Sequence, residues 1–153
     1  MVRWTLFGKG GVPMADKGSA KEFLLGTQAS NLWLYTCEAC ANEKIIPKKY
    51  RYTVGSSLIQ EVESICDLIE EANLLDTRIP AECVKRVSMQ LHALGKLGKM
   101  QRKIKRLLES KEYPGVNPGK AAAWTKNVLT VSYMCAKWYE GDKARVNKTD
   151  ARR

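Results

Sequence analysis

The sequence predicts an all-α protein, an up-down-up-down four-helix bundle, on three observations. Four stretches repeat apolar residues at alternating steps of three and four, which places those residues on one face of a helix. Prolines fall at the starts of these stretches or between them, where a helix loses no hydrogen bond. The connections are only about five to ten residues long, so consecutive helices should run antiparallel. The 153 residues suffice for one domain with a sizeable core.

The second helix, over about residues 53–75, has the clearest pattern. Its apolar positions step by four, three, four and three along the chain: Leu58, Val62, Ile65, Ile69 and Ala72. Thr53 or Ser57 can accept a hydrogen bond from the first free backbone N–H groups, and Gln60 completes a capping-box pattern with Ser57. The first helix, over about 20–43, has a looser stripe made of Leu25, Leu32, Tyr35 and Ala39.

The third helix is predicted over about residues 80–110, with Pro80 in its first turn. Its apolar stripe consists of Val84, Val87, Leu91, Leu94, Leu97, Gln101, Ile104 and Leu108. The step from Leu94 to Leu97 is three residues where four are due, so we expect the stripe to shift sideways there.

The fourth helix is predicted over about residues 118–140, after a Pro- and Gly-rich loop at 111–119. Asn117 is its expected N-cap, and Gly141 is its expected terminator. Its buried positions, again at steps of four and three, are Trp124, Val128, Val131, Cys135 and Trp138.

The two ends of the chain lie outside this pattern, so the bundle itself is predicted over residues 19–141. The leader, residues 1–18, is rich in glycine and shows no period, and the basic tail, residues 142–153, is charged and small. We expect both to be disordered. Met14 is an alternative start to Met1, and the sequence leaves both open.

Charge is concentrated in particular segments of the chain. The whole sequence carries 26 Lys and Arg against 16 Asp and Glu, a net charge of +10. Residues 56–76 contain six acids and no base, whereas residues 77–111 contain ten bases and two acids. The acidic second helix therefore needs a partner, which is either the basic third helix or a basic face of a neighbouring subunit.

A cationic stripe is predicted along one face of the third helix. Its members are Lys85, Lys96, Lys99, Lys103 and Arg106, widened on one side by Arg102 and Lys105. A run of charges is usually a solvated helix face. Between residues 96 and 106, however, there are six cations and no acid, whereas a merely soluble face mixes charges of both signs. This composition favours a binding surface.

A second basic cluster lies in the connection between the first two helices. It consists of Lys44, Lys48, Lys49 and Arg51, with Tyr50 and Tyr52 interleaved. Cations that alternate with aromatic residues can neutralise phosphates and stack on bases. The alternative is that the two tyrosines cap the end of the bundle, and the sequence leaves both interpretations open.

Nothing in the sequence indicates catalysis, a metal ion or a cofactor. Cys37 and Cys40 have the spacing of half a zinc site, but no second pair completes four ligands, since His92 is the only histidine. A lone histidine in the middle of a helix, such as His92, is more often on the flank of a bundle or a satisfied core residue than a ligand or a base. The five cysteines are an odd number, which indicates reduced thiols. No stretch approaches the roughly 18 apolar residues of a membrane span, so we expect a cytoplasmic protein. Because no catalytic motif is present, we also expect that the protein is not an enzyme.

The connection and the second helix together resemble a known family. Residues 46–55 read Ile-Pro-Lys-Lys-Tyr-Arg-Tyr-Thr-Val-Gly and continue into a helix that contains Ile-Glu-Glu-Ala at 69–72. This pattern resembles the accessory variability determinant (Avd) family of diversity-generating retroelements. In that family, apolar-Pro-Lys-x-aromatic-Arg-aromatic-Thr-aliphatic-Gly precedes a long helix with an Ile-Glu-x-Ala-like ending. The resemblance is specific over residues 46–73 and looser over the basic third helix.

The resemblance implies a small four-helix bundle that assembles into a basic, barrel-like homopentamer. It also implies binding to a reverse transcriptase, to template RNA and to cDNA, in support of mutagenic retrohoming, in which adenine-mutagenised cDNA is copied into a variable target gene. It implies no catalytic residue and no cofactor. The candidate contacts are Lys48, Lys49, Arg51, Lys85, Lys96, Lys99, Arg102, Lys103, Lys105 and Arg106.

Two alternatives stay open at the level of the sequence. The first is the four-helix-bundle family encoded in intervening sequences of 23S ribosomal RNA genes, whose Gly-Leu-x-x-Gln and Asn-Ile-x-Glu-Gly patterns do not occur here. The second is a structural protein-interaction bundle, in which the positive charge only sets solubility.

Overall fold

The computed structural model describes residues 17–109 and 116–152, which form four α-helices and no β-strand. The helices are α1 (Lys17–Ala41), α2 (Ser56–Asn73), α3 (Pro80–Glu109) and α4 (Pro118–Ala151). A 3-10 turn over Lys48–Tyr50 and a π-helical turn over Arg51–Gly55 lead directly into α2. For the described residues, the all-helical class and the four predicted helices are confirmed.

Neighbouring helices run antiparallel, as the contacts between α1 and α2 illustrate. The Cys40 thiol donates to the carbonyl of Gly55 (3.7 Å), and the Cys66 thiol donates to the carbonyl of Ala29 (3.3 Å). Advancing along α1 therefore means going back along α2. The same reversal relates α1 to α4, α2 to α3 and α3 to α4. The alternating direction agrees with the up-down-up-down order.

The core lies between the helices and matches the predictions for α2 and α4. All five predicted apolar positions of α2 are buried, as are the first four of α4, whereas the fifth, Trp138, is half-buried. The Trp124 indole N–H donates to the hydroxyl of Thr36 (3.0 Å), which satisfies the only polar atom of that side chain. A fully buried apolar side chain of this kind contributes roughly 1.5–3 kcal/mol.

The predicted stripe of α3 is wrong in its first half. Val84 and Leu91 are 53% and 54% exposed. The buried positions are instead Cys83, Arg86, Gln90, Ala93, Leu97, Met100, Ile104 and Leu107, at unbroken steps of three and four. The expected sideways shift at Leu94 therefore does not occur. The apolar pattern misleads here because Arg86 and Gln90, which are polar residues of types usually found at the surface, occupy core positions.

The predicted end of the fourth helix is also wrong. α4 does not end at Gly141 but continues to Ala151, so the expected disorder of the tail does not hold for residues 142–151. The reason is Asp142, which is only 4% exposed and accepts hydrogen bonds from Arg86 Nε and Gln90 Nε2, both at 2.7 Å. This anchor outweighs the roughly 1 kcal/mol that a glycine costs inside a helix.

The start of α2 departs from the prediction as well. No side chain caps the helix, so the capping box of Ser57 and Gln60 does not form. The chain enters α2 through the π-helical turn, where Gly55 already has helical angles (φ −58°, ψ −50°). A Cβ atom at Gly55 would lie 3.3 Å from Cβ of Cys40, so the close approach of α1 favours glycine. The backbone turn replaces the cap.

The starts of α3 and α4 agree with the sequence. α3 begins at Pro80, and the Asn117 side chain accepts a hydrogen bond from the backbone N–H of Lys120 (3.1 Å) at the start of α4. Most of the predicted loop over 111–119 and the predicted leader up to residue 16 lie outside the described residues.

Candidate nucleic-acid interface

The structure brings the two predicted basic clusters to one end of the bundle. Because α2 and α3 are antiparallel, the last turns of α3 lie beside the first turn of α2, where Lys103 Nζ is 3.5 Å from Ser57 Oγ. The connection that precedes α2 is at the same end. We call this region the basic end; its cations are Lys44, Lys48, Lys49, Arg51, Lys99, Arg102, Lys103, Lys105, Arg106 and Lys120.

Lys120 belongs to the basic end although the sequence analysis does not select it. The backbone N–H of Asn117 donates to the carbonyl of Ile45 (3.0 Å), which joins the start of α4 to the connection after α1. Lys120 lies in that first turn of α4 and is exposed. It stands alone among small residues in the sequence, so no charge pattern points to it.

Most cations of the basic end face solvent without an acidic partner. Lys48, Lys49, Lys99, Arg102, Lys105 and Arg106 are exposed. Of the ten cations of the basic end, only Lys103 forms an ion pair within the described part of the chain. Cations three or four residues apart on a helix are about 5–6 Å apart, within the roughly 8 Å Debye length at physiological salt. Their fields therefore add.

The one ion pair at this end joins α2 to α3. Lys103 Nζ lies 3.8 Å from Glu61 Oε2, with side chains 35% and 15% exposed. It bears out the expectation that the basic third helix meets part of the acidic helix's charge. Such an exposed pair contributes about 1 kcal/mol at most, so it neutralises one cation without binding the two helices strongly.

The two tyrosines of the connection, which the sequence pattern does not distinguish, differ in their burial. Tyr50 is buried, with Lys49 Nζ 5.1 Å from the centre of its ring, whereas Tyr52 is 84% exposed. The capping interpretation therefore applies to Tyr50, and the binding interpretation is left to Tyr52. Arg51 is half-buried and donates through Nη2 to the carbonyl of Ala41 (3.4 Å), so it holds the connection against the end of α1.

Lys85 and Lys96 are set apart from the other candidates. With a rise of about 1.5 Å per residue, Lys85 lies roughly 27 Å from Lys103 along α3. It is exposed near the opposite end of the bundle, next to Arg86, which reaches the carbonyl of Leu75. Lys96 is half-buried, midway along α3. The structure therefore does not bring Lys85 to the basic end.

The cysteines and the histidine do not come together as a metal-binding group within residues 17–109 and 116–152. Burial raises the pKa of the Cys40 thiol to about 12, and burial together with Glu63 and Glu38 raises the pKa of Cys37. These thiols stay protonated at neutral pH and are poor metal ligands and nucleophiles. The described residues contain no group of three or more His, Cys, Asp or Glu that could hold a metal ion. His92 is exposed on α3.

Comparisons with known proteins leave the interface to be judged on its own geometry. No protein-family model matches the chain, no curated protein matches it, and no solved structure matches its fold. None of the described helices is both long enough and apolar enough to cross a membrane. What the arrangement can do chemically is bind a polyanion, since it gathers exposed cations and presents one exposed aromatic ring.

Proposed function

We propose that this protein is a non-catalytic nucleic-acid-binding bundle, the accessory protein of a diversity-generating retroelement. It binds template RNA and cDNA, together with the reverse transcriptase, and thereby supports mutagenic cDNA synthesis. The observation that carries the proposal is the basic end, where exposed cations from the connection, from α3 and from α4 meet. The resemblance over residues 46–73 supplies the biological setting.

Binding at the basic end is electrostatic. Each phosphate that a lysine or arginine neutralises releases condensed counterions. Each contact therefore contributes roughly 0.7 to 0.9 to the slope with which log affinity falls against log salt concentration. The contacts read the phosphate backbone, so sequence preference comes from the polymerase and from RNA shape.

Assembly into a homopentamer is part of the same proposal. Glu63, Asp67, Glu70 and Glu71 of α2 are exposed and form no ion pair among the described residues. They offer an acidic face to the cations of a neighbouring copy. A ring of five copies repeats the basic end five times, which extends the field that attracts nucleic acid.

Charge reversal at the basic end tests the nucleic-acid contact. The test variant changes Lys99, Arg102, Lys105 and Arg106 to Glu, all exposed and outside any described ion pair. We expect the variant to remain helical by circular dichroism, to bind RNA weakly, and to lower the slope of log affinity against log salt by about three, for four lost phosphate contacts.

A matched control distinguishes a site from net charge. Changing Lys137, Lys143, Lys148 and Arg152 to Glu alters the net charge equally, on exposed positions in the second half of α4 and directly after its end. The control should retain most of the RNA affinity. Equal loss in both variants would show that only net charge matters, and RNA binding unchanged in the test variant would refute the proposed contact.

A protein-interaction bundle is the second candidate, and the exposure of Val84 and Leu91 on α3 favours it. Affinity purification of the tagged chain from its native cells separates the two. Recovery of a reverse transcriptase with bound RNA supports the accessory role. Recovery of another protein that is lost when Val84 and Leu91 are changed to Ser supports the alternative.

A further inference from the structure

Tyr52 is 84% exposed, more than any other aromatic residue within 24–109 and 116–152. An aromatic ring offers a large apolar surface, and proteins usually bury it. The neighbouring Tyr50 follows that rule and is buried in the same connection. Tyr52 therefore presents a flat aromatic ring to solvent at the basic end.

The backbone that carries Tyr52 is firmly held. Tyr52 is the second residue of the π-helical turn, a rare conformation that frequently occurs at functional sites. Arg51 anchors the turn to the carbonyl of Ala41, the Thr53 hydroxyl donates to the carbonyl of Tyr50 (3.3 Å), and Gly55 packs on Cys40. The ring is thus presented by an ordered turn that needs little further ordering on binding.

The connection that carries Tyr52 is positively charged. No acidic residue occurs between Lys44 and Gln60, while four cations do. Lys48 and Lys49 are exposed a few residues before the ring, and Lys103, which is paired with Glu61, lies at the first turn of α2, 3.5 Å from Ser57 Oγ. Exposed cations around an exposed ring are the combination that binds single-stranded nucleic acid, the cations on phosphates and the ring on a base.

We propose that Tyr52 stacks on an unpaired nucleobase while Lys48 and Lys49 bind the flanking phosphates, so that the basic end prefers single-stranded nucleic acid to duplex. This inference rests on the proposed function and specifies its ligand. A duplex offers the same phosphates, but its bases are already stacked on one another and leave no face for the ring.

The test compares three fluorescent probes with the full chain: a 12-nucleotide unstructured RNA, the same sequence as DNA, and a 12-base-pair RNA duplex. The variants are Tyr52→Ala, Tyr52→Phe, which keeps the ring, and Tyr133→Ala as a matched control. Tyr133 is also exposed (66%) and has a lysine nearby, with Lys137 Nζ 5.5 Å from the centre of its ring, but it lies on α4.

Tyr52→Ala should weaken binding of the single strands by at least about fivefold, and leave duplex binding unchanged. The slope of affinity against salt should not change, because no phosphate contact is lost. Tyr52→Phe and Tyr133→Ala should bind like the wild type. A 2-aminopurine base in the single strand should show stacking directly, as fluorescence quenching that Tyr52→Ala abolishes. Equal loss with RNA and DNA means that the 2′-hydroxyl takes no part, and a loss confined to RNA means that it does.

Each contrary outcome has a separate meaning. If the wild type binds none of the probes, the proposed function fails and the stacking fails with it. If the wild type binds them and Tyr52→Ala binds equally well, the proposed function stands and the stacking is overturned. If Tyr52→Ala lowers the affinity for single strands and for the duplex equally, the stacking is also overturned. It is overturned too if Tyr52→Ala loses self-association or polymerase binding while its RNA affinity is unchanged.

Discussion

The two ends of the bundle treat charge in opposite ways. At the basic end, most cations are exposed, and only Lys103 has an acidic partner within residues 17–109 and 116–152. At the other end, Arg86 and Asp142 are buried with side chains 7% and 5% exposed, and Arg86 Nε lies 2.7 Å from Asp142 Oδ2. We call this second region the paired end; its members are Arg86, Gln90, Asp142, Trp138 and the carbonyl of Leu75.

The difference shows which charges belong to the fold. Removing a charge from water is costly, so a buried ion persists only with several partners. Arg86 has three: the Asp142 carboxylate, the carbonyl of Leu75 (3.2 Å) and the ring of Trp138, whose centre is 4.8 Å from the guanidinium carbon. Among the described residues, the exposed cations of the basic end have no such set of partners, so their charge remains free for a ligand.

Asp142→Ala should give the largest loss of stability. It leaves the Arg86 guanidinium buried without its counter-ion, which costs about 3–5 kcal/mol in the free energy of unfolding. Urea unfolding measures this, with Asp150→Ala as the control, since Asp150 is exposed on the same helix. Loss of less than 1 kcal/mol would mean that the paired end does not anchor α4. RNA affinity of the folded variant should not change.

The tryptophans of α4 give the next comparison. Trp124 is fully buried, so Trp124→Ala should cost about 3–5 kcal/mol. Trp138 is half-buried and lies against Arg86, so Trp138→Ala should cost less, about 1–2 kcal/mol from partial burial and the cation–π contact. Thermal or urea unfolding of both variants decides the order. Equal costs would place Trp138 in the core, as its sequence spacing predicts.

The comparison also explains what the sequence predicts well. α2 is recovered because the five apolar residues of its predicted stripe are all buried and its charged residues lie outside the core. α3 fails because the partner that makes Arg86 a core residue, Asp142, is 56 positions away in the chain. A periodicity argument treats arginine and aspartate as surface residues, so it misplaces one face of α3 and ends α4 too early.

The candidate site is recovered to a similar degree. Except for Lys120, its cations follow from their spacing and clustering in the sequence, and the meeting of the two clusters at one end follows from the antiparallel order of α2 and α3. The opposite fates of Tyr50 and Tyr52 do not follow, since both alternate with cations in the same connection. The π-helical turn decides which ring is buried, and no local pattern indicates that turn.

Buried thiols in both halves of the bundle give a pH prediction. Burial raises the pKa of Cys40, under the π-helical turn, and of Cys135, beside Gln90, to about 12, from 9.0 in the unfolded chain. Below pH 9 both states keep the proton. Between pH 9 and 12 the unfolded chain releases protons that the folded chain retains, so stability falls as the pH rises.

Urea unfolding at pH 8, 9 and 10 measures this fall. A Cys135→Ala variant should lose stability less steeply than the wild type over that range, because one of the protons involved is gone. At pH 8, neither Cys40 nor Cys135 should react with a thiol reagent until the protein unfolds. Rapid labelling of the folded protein, or identical slopes for the two chains, would contradict the burial of these thiols.

The smallest effect on stability is expected for the ion pair of the basic end. Glu61→Gln removes the partner of Lys103 and should cost less than about 1 kcal/mol, because the pair is partly exposed. Glu61 Oε1 is also buried without a hydrogen-bond partner among the described residues, so the carboxylate is poorly satisfied as it stands. RNA affinity should rise, by up to about fivefold, since Lys103 becomes free for a phosphate.

Glu71→Gln is the control, because Glu71 is exposed on the same helix and forms no described ion pair. It changes the net charge equally without releasing Lys103, so any gain in affinity beyond that of Glu71→Gln belongs to the released lysine. If both outcomes are found, the ion pair at the paired end is needed for the fold, whereas the one at the basic end competes with the proposed ligand. A loss of several kcal/mol in Glu61→Gln, with no gain in affinity, would show that Lys103 serves the fold as Arg86 does.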